Sequence, residues 1–250
     1  MKRRQFLQAS SAGLALASTG CATMVGSAKP QVVVVGGGYG GATAAKYIRL
    51  WSAGEIDVTL IEPNASFISC PLSNLVLGGS KQLADLTISY DGLARAGVRI
   101  LRDTVQSIAA DKRSVTLASG RTLSYDRLVL SPGVDFMWDQ LPAMQNAAAQ
   151  ERILHAWKAG AQTAALRAQL EAMPDGGVYA MTIPPAPYRC PPGPYERACQ
   201  VAHYFRQRKP KSKVLLLDAN DDVVSKGALF KKVWKERYSG IVEYLSLIHI

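Results

Sequence analysis

The segment QVVVVGGGYGGATAAKYIRL, residues 31–50, constrains this chain more than any other. Val32 to Val35 form an unbroken β-branched run, the pattern of a strand buried on both faces, and Gly36, Gly38 and Gly41 then set out GxGxxG as a helix begins. The glycines have separate roles: Gly36 permits a tight turn, Gly38 lets backbone N–H groups approach a pyrophosphate, and Gly41 lets the helix pack closely on the strand. The helix N-terminus adds partial positive charge. A second apolar strand, Val58 to Ile61, ends in Glu62, 21 residues beyond Gly41, where a carboxylate can accept hydrogen bonds from ribose hydroxyls. Strand, glycine loop, helix and acid at this spacing predict dinucleotide binding.

FAD and NAD share the adenosine diphosphate half, so the glycines do not choose between them. The later context favours FAD. After Arg99 the chain turns into short alternating runs, VQSIAADKRSVTLASGRTLSYDRLVLSPG, with turn signals at Asp111–Lys112 and Ser119–Gly120. This predicts a small antiparallel meander returning to the parallel sheet, a segment found in two-dinucleotide-domain flavoprotein reductases and not needed by bare NAD dehydrogenases. HAWKAGAQTAALRAQLEAMPDGG then reads as a connecting helix with a Pro and Gly stop.

A second strand, loop, helix and strand follow in GGVYAMTI, PYERACQVAHYFRQRK and KVLLLDAN, the last ending in Asp218. Here the loop carries six prolines between Ile183 and Tyr195, and Gly193 is its only glycine. Proline offers no N–H to an anion and fixes its own φ, so this loop is not expected to wrap a pyrophosphate, nor NAD(P)H to be the electron donor. What the loop presents is Cys190. Gly193 and Pro194 suit the N-cap and first position of the next helix. Arg189 and the helix start put positive charge beside the thiol, the surroundings in which cysteines become nucleophilic. Cys199, inside the helix beside Ala198 and Val201, reads as a structural core thiol, a local bridge to Cys190 being the alternative. Glu196 falls in the first turn, where the helix dipole favours a carboxylate; a role as proton acceptor for an incoming S–H is the functional alternative.

The runs VVVVGGGYGGATAAKYI, VTLIEPN, CPLSNLVLGG, HAWKAG and RCPPGPYERA together resemble the flavoprotein subunit of flavocytochrome c sulfide dehydrogenases, from about Gln31 to about Tyr244. The resemblance implies an α/β fold class with two Rossmann-like dinucleotide-binding domains of the glutathione reductase type, the second incomplete. It implies FAD held covalently through Cys70, and Cys190 as the first cysteine of a redox disulfide over the flavin. Cys70 also lies eight residues past Glu62, in the segment leaving the carboxyl end of the second strand, where loops of an open parallel sheet border the ligand crevice. The first helix has no CxxxxC, which disfavours a disulfide reductase of the glutathione reductase kind. Sulfide is the implied substrate and a c-type cytochrome subunit the implied electron acceptor; the chain has no CxxCH, so haem is expected on another polypeptide. The competing readings are a sulfide:quinone oxidoreductase and a non-catalytic flavin-binding fragment. No metal site is expected.

MKRRQFLQASSAGLALASTGCA pairs Arg3 and Arg4 with Phe6, Leu7 and a weakly apolar stretch, the layout of a twin-arginine export signal ending near Ala28. Periplasmic localisation follows as an expectation. Leu7 to Ala17 is too short to span a bilayer, and no integral membrane segment is expected. Cys21 after Gly20 raises lipoprotein anchoring, against which Ser18 stands where such a box prefers Leu. Of the net charge of +10, Lys2, Arg3 and Arg4 supply three, and much of the rest lies among lysines from Lys209 to Lys235. Without interleaved aromatics this reads as a solvated basic face or a dock for an acidic partner, and no nucleic acid is expected. The domain plan is thus a signal peptide over 1–28, an FAD-binding domain with its meander over 29–150, and a connecting helix with a partial second Rossmann-like domain over 151–250. Family chains are longer, and LSLIHI departs from their pattern after GIVEY, so an interrupted reading frame is expected.

Overall fold

The computed structural model describes residues 29–247. The expected export signal, with Cys21, and the last three residues lie outside this range.

The first half is built on a parallel sheet. Strand β1 (Gln31–Val35) runs into helix α1 (Tyr39–Trp51) and returns as β2 (Asp57–Ile61). An excursion follows: β3 (Ser66–Ile68), the short helix α2 (Ser73–Gly78) and β4 (Thr87–Ser89), the two strands pairing antiparallel. Helix α3 (Asp91–Arg95) then leads to β5 (Arg99–Leu101). The meander is present as β6 (Val105–Ala109), β7 (Ser114–Leu117) and β8 (Thr122–Ser124), and it delivers β9 (Arg127–Leu130) back beside β1. The parallel order is β5-β2-β1-β9.

This sheet is covered on both faces, which explains the unbroken Val32–Val35 run. On one face Val32, Val34, Val58 and Leu60 pack with Ala45 of α1, Tyr90 and Val98. On the other, Val33 and Ile61 meet Val115 and Leu117 of the meander. Each such side chain taken fully out of water contributes about 1.5–3 kcal/mol.

The second half begins with α4 (Ala147–Arg152) and α5 (Ala161–Ala172). Strand β10 (Val178–Ile183), helix α6 (Gly193–Arg208) and strand β11 (Lys213–Asp218) repeat the plan of β1, α1 and β2, and α7 (Gly227–Arg237) leads to β12 (Val242–Ser246). The sheet is parallel in the order β10-β11-β12. Its core centres on α6, where Tyr195, Ala198, Val201, Ala202 and Phe205 are fully buried.

Helix α6 starts one residue earlier than the sequence suggests. Pro192 already has helical backbone angles and is the N-cap, the Gly193 N–H closes a turn onto the Cys190 carbonyl at 2.8 Å, and Pro194 falls within the first turn. Neither proline loses a hydrogen bond there, because first-turn N–H groups have no partner inside a helix.

The excursion ties the halves together. Leu77 of α2 is buried in the second core, not the first. Helix α2 therefore carries the segment from Cys70 to Asn74 across to the start of α6.

Candidate functional site

The glycine loop is shaped by close approaches that a side chain would block. Gly36 has φ +92°, and a Cβ there would lie 2.1 Å from the Ser131 carbonyl oxygen; at Gly41 it would lie 1.8 Å from the Gly36 carbonyl oxygen. Gly38 differs: a Cβ would meet nothing within 4 Å, so this edge of the loop faces open space. Glu62 stands at the tip of β2 with its carboxylate turned to the loop, accepting the Gly37 N–H at 2.7 Å on Oε2 and Asn64 N and Nδ2 at 2.9 and 2.6 Å on Oε1. A carboxylate oxygen accepts more than one bond, so Oε2 retains capacity for a hydroxyl. Tyr90 supports the loop from beneath. Its hydroxyl donates to the Gly37 carbonyl at 3.1 Å, and burial together with the Glu62 charge pushes its pKa up to about 12.

A second group of residues meets where the halves adjoin. Cys70, Asn74 and Trp157 from the first half and the connecting segment line a cavity of about 70 Å³ together with Arg189, Cys190, Glu196 and Arg197 of the proline loop and α6. Cys70 is half-buried and donates to the Trp157 carbonyl at 3.3 Å; Cys190 is exposed, with φ +56°. The structure thus brings the two cysteines to one cavity. A left-handed φ on a residue with a Cβ costs about 1–3 kcal/mol. The proline-braced loop holds that conformation, turning its thiol toward the Gly193 end of α6, where a Cβ on Gly193 would lie 3.3 Å from Cys190 Sγ.

Glu196 stands in the first turn of α6, where the sequence puts it. Its carboxylate, in the first turn, reaches across to accept Asn74 Nδ2 at 2.8 Å. The same Asn74 accepts from Arg197 Nε at 3.1 Å, so one buried amide holds both side chains. Arg197 also donates to the Ala156 carbonyl at 2.8 Å and lies 5.7 Å from the Trp157 ring centroid. Burial pushes its pKa down, while Tyr179, Cys70, Cys190 and Glu196 act in the opposite direction. Asn74, Trp157 and Arg197 were not singled out from the sequence, although each falls in one of the family-like runs CPLSN, HAWKAG and RCPPGPYERA. The remaining cysteine, Cys199, packs against the core and accepts the Trp234 indole N–H at 3.3 Å; burial raises its thiol pKa.

In the second half the acid matching Glu62 is sealed. Asp218, at the tip of β11, is 0% exposed and accepts the Tyr195 hydroxyl at 2.7 Å and that of Tyr244 at 3.2 Å. Tyr195 from the first turn of α6 and Tyr244 of β12 thus take one oxygen of this acid, and Asn220 takes the other.

No helix among the described residues is long and apolar enough to cross a membrane. A family model described as pyridine nucleotide-disulphide oxidoreductase matches residues 30–170, and one described as the central part of the sulfide dehydrogenase [flavocytochrome c] flavoprotein chain matches residues 163–249. The flavoprotein chain of that dehydrogenase from Chlorobaculum thiosulfatiphilum is 56% identical over 46 residues, 18% of this chain and 94% of that sequence. The mitochondrial sulfide:quinone oxidoreductase of Mus musculus is 25% identical over 187 residues, 74% of this chain and 41% of its own, so the present chain spans under half the length of that relative. The solved sulfide:quinone oxidoreductase of Aquifex aeolicus superposes with a TM-score of 0.71 at 20% identity, over 87% of this chain and 51% of that one, which shows a shared fold. The open glycine cradle and its facing acid fit a bound dinucleotide, and the chain is a flavoprotein of the pyridine nucleotide-disulphide oxidoreductase family.

Proposed function

We propose that this chain is the FAD-bearing, sulfide-oxidising part of a flavocytochrome c type sulfide dehydrogenase. The observation that carries this reading is the cavity shared by Cys70 and Cys190, beside a second dinucleotide unit whose acid is closed off by Tyr195 and Tyr244. Gly36, Gly38, Gly41 and Glu62 hold the adenosine diphosphate half of FAD, and Cys70 supplies the thioether that tethers its ring. When bound, FAD supplies a two-electron acceptor.

The protein's own part is sulfur chemistry at Cys190. Hydrosulfide attacks the Cys190 sulfur of a disulfide formed with a second thiol; a new S–S bond forms on Cys190, the old one breaks, and the partner leaves as a thiolate carrying the electron pair. In this reading Glu196, which lines the same cavity as Cys190 and has its carboxylate steadied by Asn74, takes the proton of the resulting persulfide. Nicotinamide is not the reductant in this scheme. A c-type cytochrome subunit receives the electrons, and the twin-arginine layout of the first residues supports a periplasmic setting.

Anaerobic titration with sulfide tests the proposal. Sulfide bleaches the flavin absorbance of the wild-type protein, and Cys190→Ser retains flavin but is not bleached. Bleaching that survives in Cys190→Ser overturns the role of that thiol. Cys70→Ser releases its flavin on acid precipitation, whereas the wild-type pellet stays yellow. A second reading, a sulfide:quinone oxidoreductase, is favoured by the longer match to the mouse enzyme. Reduction of cytochrome c without reduction of quinone excludes it, and the reverse establishes it.

A further inference from the structure

Tyr39 is the one residue of the glycine loop that carries a side chain: every other position from Gly36 to Gly41 is glycine. It opens α1, at the edge where a pyrophosphate is met, and is 54% exposed. The side chain nevertheless has fixed partners. Its ring meets Phe67 of β3 edge-on, with centroids 4.8 Å apart, and its hydroxyl shares a hydrogen bond of 2.5 Å with Ser69 Oγ. Ser69 is 6% exposed, and a buried hydroxyl is costly to leave unpaired. The glycine fingerprint asks for no aromatic at this position, so the contact to Ser69 needs its own explanation.

Ser69 immediately precedes Cys70. Its backbone N–H donates to the Leu86 carbonyl at 2.9 Å, and the Cys70 thiol donates to the Trp157 carbonyl at 3.3 Å. Cys70 is thereby held on one side to the connecting segment and, through Ser69 and Tyr39, to the glycine loop on the other. FAD has a bounded length between its pyrophosphate and its ring, so a thiol that is to join the ring must stand at a set separation from the pyrophosphate cradle. Orientation of this kind is what turns an encounter into a reaction within one bound complex.

We propose that Tyr39 and Ser69 form a clasp that positions Cys70 for attachment to the flavin ring, Tyr39 serving attachment and not the binding of the dinucleotide. The proposal deepens the reading of Cys70 as the tether and rests on it. Attachment joins Cys70 Sγ to a methyl carbon of the ring: thiol and methyl each give up one hydrogen, the ring takes up both and is reduced, and dissolved oxygen reoxidises it with formation of hydrogen peroxide. The clasp takes no part in these bonds. It raises the fraction of bound FAD whose ring lies within reach of the sulfur.

The test uses the full chain purified without flavin from riboflavin-starved cells and then given FAD in air. Flavin retained through gel filtration reads binding, and flavin retained in the acid-precipitated pellet, followed over time, reads attachment. Tyr39→Phe keeps the ring on Phe67 and removes only the hydroxyl; it binds FAD as the wild type does and attaches it about fivefold more slowly, the factor to which one net hydrogen bond amounts. Ser69→Ala slows attachment to the same extent, and the double variant is no slower than either, because both changes remove one bond. An unchanged attachment rate in either single variant, effects that multiply in the double variant, or binding and attachment that fall by the same factor overturns the clasp. A wild-type protein that retains FAD on gel filtration but gives a colourless pellet overturns the tether itself, and the clasp with it, so the two failures are distinguishable.

Discussion

Gly38 and Gly41 lie three residues apart and answer to different forces. At Gly41 a methyl group would collide with the Gly36 carbonyl, so α1 could not sit against β1; at Gly38, with φ −69°, the same methyl enters open space. Gly41→Ala is expected to cost about 3 kcal/mol or more in urea unfolding, as overpacking against backbone does. Gly38→Ala is expected to stay within about 1 kcal/mol of wild type yet lose most of its acid-stable flavin, because only a bound pyrophosphate needs that space. Comparable flavin content in Gly38→Ala and wild type would count against pyrophosphate binding at this edge. These glycines were legible because their spacing is local. Arg197 was not: within PYERA it reads as an ordinary polar residue of a helix, and its burial arises from Asn74, 123 positions away in sequence.

Among the elements, those with β-branched runs were plain in the sequence. Strands β1, β2, β10 and β11 fall within two residues of where the apolar patterns put them; β1 and β2 are covered on both faces and so apolar along their length, whereas β10 buries only alternate residues. Helix α2 was not legible, because six residues cannot show a helical period and its purpose, lending Leu77 to the second core, is tertiary. The connecting helix α5 depends on a distant residue too. Lys209, at the end of α6, is 8% exposed and directs its ammonium at the carbonyls of Leu170 and Glu171, at 2.9 and 2.7 Å, and at that of Met173. These are the carbonyls a helix leaves unsatisfied at its C-terminus, where a cation also complements the dipole. Lys209→Met is expected to destabilise the protein by about 1–3 kcal/mol in thermal or urea unfolding while leaving flavin content unchanged.

Across the whole molecule, the seam between the two sheets holds both the cavity and a cluster around His155. That imidazole packs on Phe136 at 4.3 Å between ring centroids, and its Nδ1 is buried without a protein partner among the described residues. Burial holds its pKa below the ordinary histidine value; Lys158 and Arg197 reinforce this, and Asp135 opposes it. The sign of the linkage follows. As pH falls below the unfolded value of about 6.5, the unfolded chain takes up a proton that the folded seam resists, so the folded state loses stability progressively until pH has passed the folded pKa. The contribution is fully present above about pH 6.5 and shrinks below it. Melting temperature measured between pH 5 and 8 is therefore expected to fall on the acid side, and His155→Phe, which keeps the stacking on Phe136 and removes the titrating group, is expected to flatten that slope. An acid-side slope that persists in His155→Phe would assign the effect to the carboxylates and leave the seam insensitive to protons.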